Sequence, residues 1–357
     1  MYSENYPTSG LFPSYLGYGN IPSRKSISRI GREKLLTTPM KTQGYIDLLS
    51  TIGIPGLIET QNSNRDPRLM ELAQLNKIAL LYSTVLGDDI YYKELLPRYE
   101  QLVNTLMQVS IIFNKNGIKY SIFKTIKPFP TTPSDIDVLL PSEDFSRAEA
   151  LLISSGYIRT AHDAYSSTLQ KEMIVDLQLQ PSVSNLPYAS KQLLMKNTVL
   201  RNVYGCEIRT LNPEAEVIVI ASHSFYKEQM FTLNDYYAIT ILAEQLDIEK
   251  LAGLAEANKT MDVLRIITGI CSQITESVFN TRLKINDISQ TLASQHERIM
   301  NHDALPIKFP FGLVLKLLLK RATEDKEMRR MMMPALMRLA SPAQFLKLIK
   351  HLQRTTY

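Results

Sequence analysis

Three aspartates interrupt otherwise apolar strand-like segments, and their spacing indicates metal chemistry. Asp135 and Asp137 lie in the run SDIDVLL at 134–140, and Asp176 lies in IVDLQL at 174–179. Residues two apart in a strand project from the same face, so Asp135 and Asp137 share one face. Because an unpaired buried carboxylate is costly, an apolar strand that carries two of them needs a compensating group.

The chemistry follows if the strand of Asp176 pairs beside that of Asp135 and Asp137. Three carboxylates then converge, and their repulsion must be relieved by protonation or by cations. Mg²⁺ prefers carboxylate, phosphate and water oxygens as ligands. The pattern therefore predicts a metal-dependent phosphoryl or nucleotidyl transfer site. The alternative is a surface strand with two solvated acids, but the apolar residues around Asp135 and Asp137 favour burial.

The segment YSIFKTIKPFPTTPSDIDVLL at 120–140 resembles the core motif of the DNA polymerase β-type nucleotidyltransferase superfamily, and is similar to its uncharacterised bacterial and archaeal branch. That pattern is a strand, a short phosphate-binding turn, a helix, a strand with Asp-x-Asp and a later strand with a third Asp. The resemblance, which spans residues 97–270, implies that Asp135, Asp137 and Asp176 hold two Mg²⁺ ions beside an NTP such as ATP. It also implies that Asp176 lies nearest the nucleophile and accepts its proton.

The phosphate-binding turn departs from the family pattern. The superfamily has Gly-Ser or Gly-Gly there, because glycine lets backbone amides approach phosphates. This chain has Lys124-Thr125 instead. An ammonium and a hydroxyl are expected to replace the backbone amides, and the Ser134 hydroxyl is a further candidate for the phosphate or metal shell. The prolines between 128 and 133 also disfavour the short helix of the family pattern.

His223 and Lys227 are the remaining candidates for nucleotide binding. They are four residues apart in a predicted helix and so share a face, from which they would reach base, ribose or phosphate. A packed or capped histidine and a solvated lysine are the ordinary alternatives for such residues.

Composition favours a cytoplasmic protein. The chain has 357 residues, of which 45% are hydrophobic, and two cysteines without a CxxC pattern, so a disulfide framework or zinc site is not expected. A run of 18 apolar residues is absent from the sequence, so no membrane span is predicted.

Charge is unevenly distributed along the chain. The net charge is +5, yet residues 308–357 carry eleven basic and three acidic side chains, which leaves a net −3 for the rest. A basic tail suggests contact with nucleic acid or a membrane surface. The basic residues expected to follow a nucleic-acid backbone are Lys316, Lys320, Arg321, Arg329, Arg330, Lys347, Lys350 and Arg354. A solvated helical face is the alternative.

The predicted fold is α+β: a small mixed β-sheet core with helical N-terminal and C-terminal parts. The predicted divisions are a flexible or loosely packed lead (1–60), the nucleotidyltransferase core with its preceding helices (61–212) and a helical domain with the basic tail (213–357). The predicted helices are 68–86, 97–115 and 142–155, the last with Ser142 as its N-cap and Glu143 and Asp144 in its first turn. The predicted strands are 119–124, 135–140, 157–162, 165–170, 172–180, 198–203 and 206–211, with a turn at Gly205 between the last two.

Three functions remain open on the sequence. The first is a Mg²⁺-dependent enzyme that transfers an NMP from an NTP to an acceptor, which is nucleic acid, a protein side chain or a small molecule. The second is a degenerate nucleotidyltransferase fold that acts as a nucleic-acid- or protein-binding module, for which the glycine-less turn is the best support. The third is a toxin–antitoxin-type modifier of one protein partner.

Overall fold

A seven-stranded mixed sheet forms the centre of the protein. The structure is a computed structural model that describes residues 43–60, 66–87, 89–163, 165–183, 186–203, 205–292, 305–325 and 328–330. The strands of this sheet are β1 (Ser121–Ile122), β2 (Asp135–Leu139), β3 (Ile158–His162), β4 (Ser166–Gln170) and β5 (Ile174–Gln178), followed by β8 (Thr198–Val203) and β9 (Cys206–Leu211). Two-stranded sheets are formed by β6 (Ser182–Val183) with β7 (Leu186–Pro187), and by β10 (Met230–Phe231) with β11 (Ile307–Lys308).

Helices precede, interrupt and follow the sheet, so the predicted α+β architecture is confirmed. Before it come α1 (Gln43–Ile52), α2 (Pro67–Leu75), α3 (Ala79–Leu86) and α4 (Asp89–Lys115), and within it α5 (Ser142–Ser154) and α6 (Lys191–Lys196). After it come α7 (Pro213–Ser222), a π-helical turn (His223–Glu228), α8 (Leu233–Ala243), α9 (Ile248–Ala257), α10 (Met261–Phe279), α11 (Lys284–Thr291) and α12 (Phe311–Glu324).

Strand β2 has neighbours on both sides, which places its acids inside the sheet. The strand order is β3-β4-β5-β2-β1-β9-β8. Strand β2 pairs in parallel with β5 and antiparallel with β1. Pairing of the Asp176 strand beside the Asp135 and Asp137 strand, on which the metal prediction depended, is therefore confirmed.

The two faces of the sheet have different partners. Ile136, Val138, Val175 and Leu177 belong to an apolar cluster that also contains buried residues of α4 and α5. Side chains alternate along a strand, so the intervening acids point to the other face, where Leu139 packs in the cluster that includes α7. One face is thus sealed by helices, and the other carries the carboxylates.

The N-terminal helices pack with the C-terminal ones. Tyr45, Leu48, Leu49 and Ile52 of α1 are buried in the same apolar cluster as residues of α7, α8 and α10. The structure differs here from the loose lead predicted for 1–60, because four apolar residues at helical spacing give α1 a face to bury. Residues 1–42 lie outside the described residues, and the divisions at 60 and 212 remain predictions.

Two of the predicted helices have different limits in the structure. The helix predicted at 68–86 is two helices, broken at Lys77, whose φ is 60°. At the break Asn76 accepts a hydrogen bond from the Leu233 amide through its side chain (3.1 Å), a tertiary contact that local pattern does not reveal. Helix α4 begins at Asp89 and runs through Pro97, where its start was predicted.

Two local predictions concern the segment between β1 and β2, where a helix was not expected, and the first residues of α5. Residues 125–134 contain no helix, as the prolines indicated. The N-cap of α5 is Pro141, so the prediction of Ser142 as N-cap is wrong by one position. Glu143 and Asp144 lie in the first turn as expected, where they complement the helix dipole.

Three described basic residues of the tail make internal contacts, and one of them, Arg329, donates to the Ala322 and Thr323 carbonyls. The Arg321 guanidinium is buried and donates to the Pro187 carbonyl (2.8 Å), and Lys320 donates to Asp262 (2.6 Å). The buried Arg321 is therefore not accessible to the predicted nucleic-acid track, whereas the Lys320 side chain is 52% exposed. Residues 331–357, with the last three predicted contacts, lie outside the described residues. Within the described part of the chain, none of the helices combines the length and apolarity needed to cross a bilayer.

Leu48→Ala tests whether α1 is an integral part of the core. Leu48 has no exposed surface, so its truncation is expected to lower the free energy of unfolding by about 2–5 kcal/mol, measured by urea denaturation. The matched control is Leu315→Ala in α12, where 40% of the side chain is exposed, and a change within about 0.5 kcal/mol is expected. Equal effects of the two substitutions would contradict the packing of α1.

Candidate metal and nucleotide site

Asp135, Asp137 and Asp176, called the aspartate triad below, converge on one small volume. Asp137 of β2 and Asp176 of β5 are direct cross-strand partners, and Asp135 lies two residues before Asp137 on the same face. One carboxylate oxygen from each lies within 4.8 Å of the other two. Asp137 is buried, and the other two are partly buried.

Asp137 is held by three donor or acceptor groups of the protein. Its Oδ2 lies 3.1 Å from the Lys124 ammonium, and its Oδ1 accepts a hydrogen bond from the Gln178 amide. Its backbone N–H donates to the Thr125 hydroxyl (3.0 Å). The orientation of this carboxylate is therefore fixed before any ligand binds.

The surroundings of Asp176 raise the pKa of its carboxyl group. Burial is the largest cause and, together with the charges of Asp137 and Asp135, raises its pKa from 3.8 to about 6, against the Thr168 hydrogen bond and the Lys227 charge. Its Oδ1 is buried and has no hydrogen-bond partner. A buried carboxylate oxygen without a partner is costly, so this atom is suited to accept a cation or a proton.

The Lys124-Thr125 turn shows why glycine is usual at this position. Lys124 has φ 61°, in the left-handed region that glycine adopts readily. Its N–H donates to the buried Glu216 carboxylate of α7 (2.8 Å). The Thr125 hydroxyl is buried, donates to the Phe123 carbonyl (3.3 Å) and accepts from the Asp137 amide. Both groups thus brace the turn beneath the triad.

The other predicted residues lie at the edges of the same region. The exposed Ser134 donates through its hydroxyl to Asp135 Oδ1 (2.9 Å). His223 and Lys227 lie on a π-helical turn, a rare conformation that is frequent at functional sites. His223 Nε2 lies 3.3 Å from Glu228 Oε1, and its ring makes an edge contact with that of Tyr188 (centroids 5.7 Å apart).

Several lysines surround His223. Burial lowers its pKa well below 6.5, and the positive charges of Lys124, Lys227, Lys77 and Lys127 lower it further. The imidazole is therefore neutral at physiological pH. The four ammonium groups disfavour a positive charge on the imidazole, and the same positive potential attracts a polyanion.

Sequence reasoning missed three residues of the site. Gln178 orients Asp137, and its signal was its position two residues after Asp176 on the same strand face. Glu216 lies in a buried helix far along the chain from the turn that it braces, so local spacing does not connect the two. Lys127 lies in the proline-rich turn. Burial is the main influence on its pKa and lowers it, while the charges of Glu216 and Asp235 raise it.

The triad fits a hard divalent cation. Its donors are carboxylate oxygens, the ligand type that Mg²⁺ and Mn²⁺ prefer, and one of them lacks any other partner. Three acids at this separation also repel one another, and a divalent cation would relieve that repulsion.

Comparison with known proteins gives a family match. Residues 132–276 match the family model described as an uncharacterised nucleotidyltransferase. The matched segment contains the triad, Gln178, Glu216 and the π-helical turn, and it begins after the Lys124-Thr125 turn. Among solved structures, ANT(2″)-Ia in complex with adenylyl-2″-tobramycin aligns with 44% of this chain and 96% of its own, at 13% identity and a TM-score of 0.33. Among curated proteins, none matches the chain.

Asp176→Asn tests the electrostatic strain in the triad. An acid whose pKa is raised by folding binds its proton more tightly in the native state, so the metal-free native state loses stability as the pH rises from 3.8 through about 6. In chelator at about pH 8, the variant is therefore expected to melt roughly 2–4 °C above the wild type. The difference should disappear near pH 4, as measured by thermal unfolding.

The control for this experiment is Glu71→Gln, which removes one exposed carboxylate from α2. It is expected to leave the melting temperature nearly unchanged at both pH values. A wild type as stable as Asp176→Asn at about pH 8 would show that the triad stores no such repulsion.

Proposed function

We propose, from the premise that residues 132–276 of this chain belong to the nucleotidyltransferase superfamily, that the protein transfers an NMP from an NTP to an acceptor with the help of Mg²⁺. The observation that carries the proposal is the convergence of three carboxylates within 4.8 Å on one sheet face. Asp135, Asp137 and Asp176 are the proposed metal ligands. Bound there, Mg²⁺ would neutralise the triphosphate and lower the pKa of the acceptor hydroxyl.

The transfer itself is a displacement at the α-phosphorus. The acceptor oxygen forms a bond to that phosphorus, the bond from phosphorus to the α,β-bridging oxygen breaks, and pyrophosphate leaves with its electron pair. The acceptor proton must go to a base. Asp176 is the proposed base, because its unpartnered Oδ1 and raised pKa suit a proton acceptor.

The lysines are the proposed contacts for the triphosphate. Lys124, Lys227 and Lys127 all lower the pKa of the same imidazole, and this shared influence supports a common contact with one anion. Positive charge there offsets the negative charge that develops on the departing pyrophosphate. The neutral His223 contributes its ring rather than a charge, and we propose that it contacts base or ribose.

A binding module remains the second candidate, and one observation favours it. Lys124 pairs with Asp137, so one carboxylate of the triad already has a counter-cation. A site that had lost its metal would be stabilised in this way. The unpartnered Asp176 oxygen argues for the enzyme, because a module without a ligand there has no use for it.

Label transfer distinguishes the two candidates. The protein is incubated with Mg²⁺ and NTPs labelled at the α-phosphate, in separate reactions with total RNA, cell lysate and a small-molecule extract. Asp137→Ala is expected to reduce transfer at least about a hundredfold, because it removes a ligand that acts in the transition state. Asp287→Ala, which removes an exposed acid of α11, is the matched control and should retain wild-type transfer.

The acceptor class is read from where the label appears. Label on RNA indicates a nucleic-acid acceptor, label on one protein band a partner-modifying enzyme, and label in the small-molecule fraction a metabolite or drug. Absence of transfer by the wild type from every NTP in all three reactions, with RNA or protein binding that Asp137→Ala leaves intact, would establish the module.

A further inference from the structure

The Lys124 ammonium occupies the position of a cation at the triad. Its Nζ lies 3.1 Å from Asp137 Oδ2, and the two side chains are only 8% and 10% exposed. It also lies 4.9 Å from the centroid of the Phe123 ring and 5.9 Å from that of Tyr188. The ammonium is thus held by a carboxylate and two aromatic rings in a largely desolvated place, where an ion pair is strong.

Both oxygens of Asp137 have a protein donor. Gln178 donates to Oδ1, and Lys124 lies against Oδ2. A divalent cation that took Asp137 as a ligand would therefore meet an ammonium at the same oxygen. The two positive charges repel, so Lys124 and the metal compete for this carboxylate.

When a metal binds to Asp137, the side chain of Lys124 can move away while its backbone stays in place. Its backbone N–H is fixed by Glu216 (2.8 Å), so the Cα position is set. The side chain has a flexible stem of four carbons that lets the ammonium reach a new partner without movement of the turn. Lys227 and Lys127 act on the same histidine as Lys124, so their positive charges would add to the attraction of an anion by Lys124.

We propose that Lys124 is a resident cation that leaves Asp137 for the triphosphate when metal and nucleotide bind together, and that it thereby couples the two binding events. The proposal rests on the proposed function, because it needs a triad that binds Mg²⁺·NTP. Metal alone must break the Lys124–Asp137 pair and leave an ammonium without a partner. With a triphosphate present, the ammonium gains a phosphate oxygen, so the same displacement becomes favourable.

The coupling has a measurable consequence for metal affinity. In the wild type, the free protein binds metal weakly and the triphosphate-bound protein binds it tightly. Without the ammonium there is no competitor for Asp137 and no transfer to phosphate, so the contribution of Lys124 to the coupling disappears. A coupling of this kind is typically 5- to 150-fold, and about tenfold lies in the lower part of that range.

The test uses Mn²⁺ and inorganic tripolyphosphate, which needs no knowledge of base or acceptor. Calorimetric titrations of the full chain measure the affinity for Mn²⁺ alone and for preformed Mn²⁺·tripolyphosphate, in the wild type, Lys124→Met and Lys124→Gly. Methionine keeps an unbranched stem that is one atom shorter and uncharged, and glycine suits the φ of 61°, so at least one variant should fold. Lys119→Met, at an exposed lysine, is the matched control.

Both variants are expected to bind Mn²⁺ alone about tenfold more tightly than the wild type, and to bind Mn²⁺·tripolyphosphate more weakly. Lys119→Met should match the wild type in both titrations. Equal Mn²⁺ affinity in the wild type and in a folded Lys124 variant would overturn the inference while leaving the proposed function intact. A wild type that binds neither probe would instead refute the proposed function, and the inference with it.

Discussion

Mutual repulsion among three carboxylates is the constraint on which the rest of this structure depends. One carboxylate oxygen of each acid lies within 4.8 Å of the others on a face that is partly buried, so the charges of Asp137 and Asp135 add to the cost of ionising Asp176. The protein relieves that repulsion in two ways. Lys124 supplies a positive charge to Asp137, and the raised pKa of Asp176 lets that carboxyl take up a proton more readily.

The fold around the triad serves to hold this arrangement rigid. Apolar side chains of β2 and β5 are fixed against α4 and α5 on one face, so the alternating acids have no other direction to take. On the other face, α7 contributes Glu216, which fixes the backbone of the Lys124 turn. The π-helical turn that follows α7 carries His223 and Lys227, and Lys227 acts on the pKa of Asp176 while Lys124 acts on that of His223. Sheet, turn and helix thus each set one side of the site.

Lys124 stands where the family pattern has glycine, and its ammonium supplies a cation to Asp137. A glycine in that left-handed turn would leave the triad without an ammonium, whereas lysine brings one at the cost of a less favourable backbone conformation. An ammonium that stays on Asp137 suits a binding module, whereas one that moves to the triphosphate suits the enzyme. That difference concerns ligand binding, which is why metal affinity rather than fold distinguishes them.

The sequence by itself determined the strands that carry acid, their shared face, the family resemblance and most of the sheet. These follow from alternation and spacing, which act over a few residues: β8 and β9 have the predicted limits, and the turn between them falls at Gly205 as expected. Only the tertiary structure decided that α1 packs with the C-terminal helices, that Asn76 ends α2, and that Glu216 and Lys124 meet beside Asp137. Such contacts join residues far apart in the chain, and neither partner carries a local pattern that names the other. The positions of the three acids thus follow from short-range alternation along the strands. The charges and hydrogen bonds that surround those acids depend on contacts between distant parts of the chain.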